Sequence, residues 1–200
     1  YGILLAVTGR FDEAIREVDR AVELDPLSFV AQGNLGMRCL SAGLLDEAAA
    51  AVDNALQLNP RAALLFWLLG TIRLEQGQPE HALAAYRQEE IEPLRIQGTV
   101  LAHHAAGRLD ETRRELDKLI ELCADDSAFQ IAEALAHQGD ADGAFHWLER
   151  ARAQRDPGVS QLQSGPLLRN LHADPRWLPF LTTLGFNLPA NEPAEAPPRR

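Results

Sequence analysis

Gly43-Leu44-Leu45-Asp46-Glu47-Ala48 is the stretch on which the reading of this chain turns, because the same phrase recurs along it. It stands earlier as Gly9-Arg10-Phe11-Asp12-Glu13-Ala14 and later as Gly77-Gln78-Pro79-Glu80-His81-Ala82. It returns as Gly107-Arg108-Leu109-Asp110-Glu111-Thr112 and as Gly139-Asp140-Ala141-Asp142-Gly143-Ala144. Differences between successive glycine numbers are 34, 34, 30 and 32. A recurrence of that length marks a stack of similar helical hairpins, each burying its apolar face against its neighbours.

Each part of the phrase has a physical task. Apolar runs such as Leu64-Leu65-Phe66-Trp67-Leu68-Leu69 precede the glycine, and a second run follows it. Ala14, Val18, Ala21 and Val22 then repeat at i, i+4, i+7 and i+8, one face of an α-helix. The glycine supplies the left-handed backbone between the two helices. The acidic residues after it fall in the first turn of the second helix and complement its positive end. Small residues (Gly2, Gly36 and Gly70 on first helices; Ala14, Ala48, Ala82 and Ala144 on second ones) predict close backbone approach. Leu24-Asp25-Pro26 and Leu58-Asn59-Pro60 end the first two hairpins, with proline as the stop.

These residues resemble the tetratricopeptide repeat, whose signature is W-x2-L-G-x2-Y, A-x3-F and a closing P. The second repeat offers Gln32, Leu35, Gly36, Cys39, Ala48, Val52, Ala55 and Pro60; the third offers Phe66, Leu69, Gly70, Arg73, Ala82 and Tyr86. The first keeps Gly2, Leu5, Ala14, Val18, Ala21 and Pro26. Beyond Glu90 the fit weakens: Val100 and Thr112 stand where glycine and alanine are usual, and Ala132 stands in place of glycine. The resemblance implies an all-α, right-handed α-solenoid of about five repeats over residues 1–155, the first truncated and the last two degenerate. A capping segment is expected over 156–187, where Pro175 suits the first turn of a helix and Trp177, Leu178, Phe180 and Leu181 cover the last hairpin. A tail of disordered composition is expected over 188–200. Tyr1 falls mid-repeat, so the stretch reads as the C-terminal piece of a longer protein. Its ending resembles arrays that close bacterial multidomain signalling proteins such as adenylate cyclases, kinases and winged-helix regulators.

Composition narrows the function. A net charge of -10 with no lysine or arginine stripe argues against nucleic acid as a partner. No apolar run is long enough for a membrane, and a cytoplasmic location is expected. Cys39 and Cys123 are expected to be buried free thiols. No catalytic, cofactor or metal site is expected. His103, His104 and His137 lack the further ligands a metal needs. The pairs Asp12/Glu13, Asp46/Glu47 and Asp110/Glu111 recur because every second helix begins there. Ser127, Ser160 and Ser164 lack a nucleophile's surroundings.

The resemblance also implies a concave face built from the first helices. Its positions fall on Ile3 and Ala6; on Val30, Gly33, Met37 and Leu40; on Leu64, Trp67, Thr71 and Leu74; and on Leu94, Gln97, Leu101 and His104. Of these, Val30, Met37, Leu40, Leu64, Trp67, Thr71, Leu74, Leu101 and His104 form the expected partner-binding groove. Phe66 takes the usual buried aromatic place, which points Trp67 outward as anchor. A register shifted by one, or a segment of the chain itself packed in the groove, competes with that reading. The lysine, asparagine and arginine clamp that binds acidic chaperone tails is matched only by Asn34, with Leu64 and Leu68 where basic residues are needed. An apolar protein or peptide segment, in trans or from the parent chain, is therefore the expected partner. The alternative is a regulatory or oligomerisation appendage of an upstream cyclase, kinase or transcription regulator. Within the array, the run Glu89-Glu90-Ile91-Glu92-Pro93 predicts that the third hairpin ends there.

Overall fold

The computed structural model describes residues 11–162 and 165–186, with side chains from residue 16 onward. The expectations for Tyr1, Gly2, Ile3, Leu4, Leu5, Ala6 and Gly9, for the side chains of Asp12, Glu13 and Ala14, for Ser164 and for the 188–200 tail lie outside them. The described residues are helical with no strand, an α-solenoid. Helix α1 (Phe11–Leu24) is the second half of the first hairpin. Four complete hairpins follow: α2 (Phe29–Ala42) with α3 (Leu45–Leu58), α4 (Leu65–Glu75) with α5 (Pro79–Tyr86), α6 (Glu92–Ala105) with α7 (Leu109–Cys123), and α8 (Ala128–His137) with α9 (Ala141–Gln154). Two 3₁₀ turns, Pro157–Gln161 and Pro166–Leu171, lead to α10 (Trp177–Thr183).

The recurring glycines behave as their spacing predicts. Gly43, Gly77, Gly107 and Gly139 hold φ values of 79°, 71°, 72° and 81°. No atom lies within 4 Å of where a Cβ would stand, so backbone conformation rather than crowding selects glycine there. Gly43 N–H donates to Leu40 O at 3.0 Å and Leu44 N–H to Cys39 O at 2.9 Å, closing the end of α2. Asp46 and Glu47, and later Asp110 and Glu111, occupy first turns of second helices as expected.

The first helices begin in different ways. Ser28 Oγ accepts from Ala31 N at 3.2 Å and caps α2 locally. Helices α4 and α8 are capped from a distance. Glu89 Oε2 accepts from Trp67 N at 3.2 Å while its Oε1 accepts from Ile91 N at 3.0 Å. Asp156 Oδ2 accepts from Phe129 N at 3.1 Å while its Oδ1 accepts from Gly158 N at 2.8 Å. In both cases a buried carboxyl just beyond a hairpin's second helix ties down the start of its first. Helix α5 stops at Tyr86, before the acidic run. Within that run Glu89 is a buried cap rather than a solvent-facing charge.

Packing between hairpins depends on small residues. The Tyr86 ring is wedged between Gly70 on α4 and Gly98 on α6, and a Cβ at either place would overlap it. Its hydroxyl lies 3.1 Å from Thr71 Oγ1. The fourth repeat therefore has its close contact at Gly98, two residues before Val100, where the repeat register places the small residue; Val100 is simply core. One apolar cluster joins α2 to α6 and a second runs from α6 to α10. Trp177, Phe180 and Leu181 enter the second cluster and cover the last hairpin, whereas Leu178 is exposed. Pro175 lies in the turn before α10, one residue short of its N-cap Arg176.

Candidate binding groove

The second 3₁₀ turn decides what remains of the concave face. It packs on α8, where Asn170 Nδ2 donates to Ala136 O at 3.2 Å. Arg169 Nη1 reaches Glu75 Oε2 on α4 at 3.0 Å. Leu167 joins the apolar cluster that contains Trp67, Leu68, Leu74 and Leu101. The chain thus lays its own segment across the third to fifth repeats. What stays open is a cavity of about 410 Å³ between α2, the start of α4 and the edge of this strap, with Glu133 of α8 in its wall.

Four of the nine expected groove residues line this cavity: Val30, Met37, Leu64 and Trp67. Val30 and Leu64 are 56% and 49% exposed, unusual for large apolar side chains. Leu64 also holds a left-handed φ of 73° at the threshold of α4. That conformation costs a non-glycine residue on the order of 1 kcal/mol, and such strain gathers at functional sites. Leu40, Thr71, Leu74 and Leu101 are buried, which corrects their assignment as walls open to a partner. Leu40, Leu74 and Leu101 share a cluster with Leu167, and Thr71 is turned to Tyr86, donating to or accepting from its hydroxyl. His104 is half-buried and meets His137 edge-on, with ring centroids 5.6 Å apart, and does not line the cavity.

Trp67 also differs from its expected role. It is 8% exposed while Phe66 is only half-buried, so the two exchange the places foreseen for them. Only part of the indole faces the cavity. Its Nε1–H donates to Gln97 Oε1 at 2.9 Å, and Gln97 Nε2–H donates to Glu133 Oε2 at 2.6 Å and to Gln130 O at 3.2 Å. Gln97 is fully buried. Burial pushes the Glu133 carboxyl up to about 8; the Gln97 hydrogen bond opposes this and nearby Asp156 reinforces it.

Of the polar members of the cavity, pattern reading named Asn34 and Ser160 but passed over Glu133 and Arg38. Glu133 interrupts an apolar helix, Ala132-Glu133-Ala134-Leu135, and that interruption is the one signal the sequence carried for it. Asn34 and Arg38 stand one turn apart on α2 and line the same space. Arg38 adds a basic group that the comparison with chaperone-tail clamps did not count. Elsewhere, His137 is pushed down to about 4 by burial and by His104. Cys39 and Cys123 are buried free thiols. Among the described residues no three His, Cys, Asp or Glu side chains are grouped to hold a metal. No described helix is long and apolar enough to cross a membrane.

The stacked hairpins and the glycine-closed turns define a helical-repeat protein. The tetratricopeptide-repeat family profile matches residues 2–63 and again 35–93, so that this part of the chain is built of tetratricopeptide repeats. No curated protein matches it. Among solved structures it is similar to TTC0263, a thermophilic TPR protein of Thermus thermophilus, at 22% identity and TM-score 0.61, covering 90% of this chain and 95% of that one. It is similar to MamA at 19% identity and TM-score 0.55, over 80% and 96% of the two chains. A third is YrrB, described as a TPR protein with an unusual peptide-binding site, at 21% identity and TM-score 0.50, over 80% and 86%. At these identities the likeness is one of fold, and the fold is that of a protein-interaction scaffold.

Proposed function

We propose that this chain binds an apolar peptide or helix of a partner protein in the open part of its concave groove, and that it is not an enzyme. The observation that carries this is the pair of exposed side chains Val30 and Leu64, set across a cavity of about 410 Å³ whose depth is formed by Leu68 and one face of Trp67. Apolar side chains presented around a preformed recess are what an amphipathic segment needs for its anchors. The peptide-binding site named for YrrB supports the same class of role. Among the described residues the strap leaves the second and third repeats to the ligand, because it covers the groove beyond them.

A random-peptide display selection on the wild-type protein tests the proposal. Selected peptides are expected to carry spaced apolar residues and to lose about tenfold in affinity on Leu64→Asp, since a buried aliphatic anchor contributes about 1.5–3 kcal/mol. Both side chains are exposed, so Val30→Asp and Leu64→Asp leave the helical content unchanged. Peptides that bind both variants as tightly as wild type would show that the recess is not the site.

A further inference from the structure

The apolar recess contains one feature that burial of an aliphatic ligand does not explain. Glu133 is 5% exposed and sits on α8 among Phe129, Ile131, Ala132, Ala134 and Leu135, all buried. A carboxyl among such neighbours is costly without a partner. Gln97 holds its Oε2, and Gln97 is held in turn by the Trp67 indole. Oε1 lies toward Gly165 at the cavity edge, 3.6 Å from where a Cβ at that position would stand. A Cβ there would stand in ordinary contact with Oε1 and 3.2 Å from Gln161 O. Arg38 lines the cavity too, but among the described residues it makes no ion pair with Glu133.

We propose that the recess receives a basic side chain, a lysine or arginine carried on the apolar partner segment, whose cation pairs with Glu133. The proposal rests on the groove reading above. An incoming cation meets Glu133 in a site of low dielectric, where opposite charges attract far more strongly than in water. The carboxyl, whose hold on its proton burial strengthens, gives that proton to solvent as the ion pair forms. A neutral ligand gains only the apolar contact. The net charge of -10 favours the approach of a basic partner.

The full chain and three small probes test this: hexylammonium, hexanol and hexanoate. Binding is followed through the indole N–H resonance of Trp67, assigned with Trp67→Phe. Hexylammonium is expected to bind about tenfold more tightly than hexanol, the scale of one charge-assisted hydrogen bond. Glu133→Gln keeps the oxygen that Gln97 bonds, so it folds, and it is expected to bring the amine down to the alcohol. In the wild-type protein, calorimetry in buffers of different ionisation enthalpy is expected to show close to one proton released per amine bound and none per alcohol. That readout stands without any variant. Equal binding of amine and alcohol overturns the cation site and leaves the apolar recess intact. Tighter binding of hexanoate overturns it in favour of Arg38. Absence of binding by all three overturns both this inference and the groove reading.

Discussion

Replacing Glu133 by glutamine is expected to stabilise the protein increasingly as pH rises. The side chain is buried, and its carboxyl is pushed from an ordinary 4.5 up to about 8, chiefly by desolvation. Below the ordinary value both folded and unfolded chains hold the proton, and the glutamate costs nothing in ionisation. Between about 4.5 and 8 the folded chain keeps the proton while the unfolded chain has released it. The folded state then binds more protons, so stability falls with rising pH, at about 1.4 kcal/mol per pH unit for one group. Above about 8 both states are ionised and the loss is complete. Across the whole window it is on the order of 5 kcal/mol, a large share of the stability of a small domain. Glutamine is nearly isosteric, presents an oxygen to Gln97 Nε2 and does not titrate. The assay is urea unfolding followed by circular dichroism from pH 5 to 9, run on both proteins in parallel. Other titrating groups are common to both, so their contributions cancel in the difference. That difference should grow steadily to about pH 8 and then level off. Curves that stay parallel would refute the assignment of Glu133 as a protonated buried acid.

Three further substitutions follow from the packing. Trp67→Phe removes the donor to Gln97 Oε1, and a buried acceptor left unsatisfied costs about 1–3 kcal/mol, measurable as a lower urea midpoint with unchanged helical content. Gly98→Ala drives a methyl into the Tyr86 ring and should cost about 1–3 kcal/mol or more; a change below about 0.5 kcal/mol would contradict the wedge. Leu64→Gly relieves a left-handed backbone but frees the unfolded chain by a similar amount, so stability should change by less than about 1 kcal/mol while affinity for peptides selected on the wild type is lost.

What the sequence disclosed was local. A glycine at a left-handed position, an acidic first turn and a 3.6-residue apolar stripe are each written within a few neighbouring residues, so the hairpins from Gly43 to Gly139 were legible. So was the burial of Trp177, Phe180 and Leu181, because an apolar cluster after the last repeat has one open hairpin to cover. The groove positions were legible only at the near end, where Val30 and Leu64 keep the exposure that their repeat positions imply and Met37 is half-buried. At its far end Leu74 and Leu101 are buried because Leu167 reaches them, a contact that no repeat pattern encodes. Arg169 meets Glu75 across 94 positions of chain, and periodicity is blind at that range. Glu89, Asp156 and Glu133 were unreadable for a related reason. A charged residue in a helical sequence is assigned to the surface by default, and only folded neighbours reveal which ones are turned inward.

The carboxyl ties at Glu89 and Asp156 have a consequence for how the array yields under load. In the α4–α5 and α8–α9 hairpins, a side chain beyond the second helix grips the first turn of the first, so each hairpin is fastened at its open end. The α2–α3 hairpin has only the local Ser28 cap, and α6 begins with Pro93 and no side-chain cap. Fastened and unfastened hairpins therefore alternate along the solenoid. Under load the fastened hairpins are expected to keep their open ends closed until Glu89 or Asp156 lets go, a hold that the second and fourth repeats do not have.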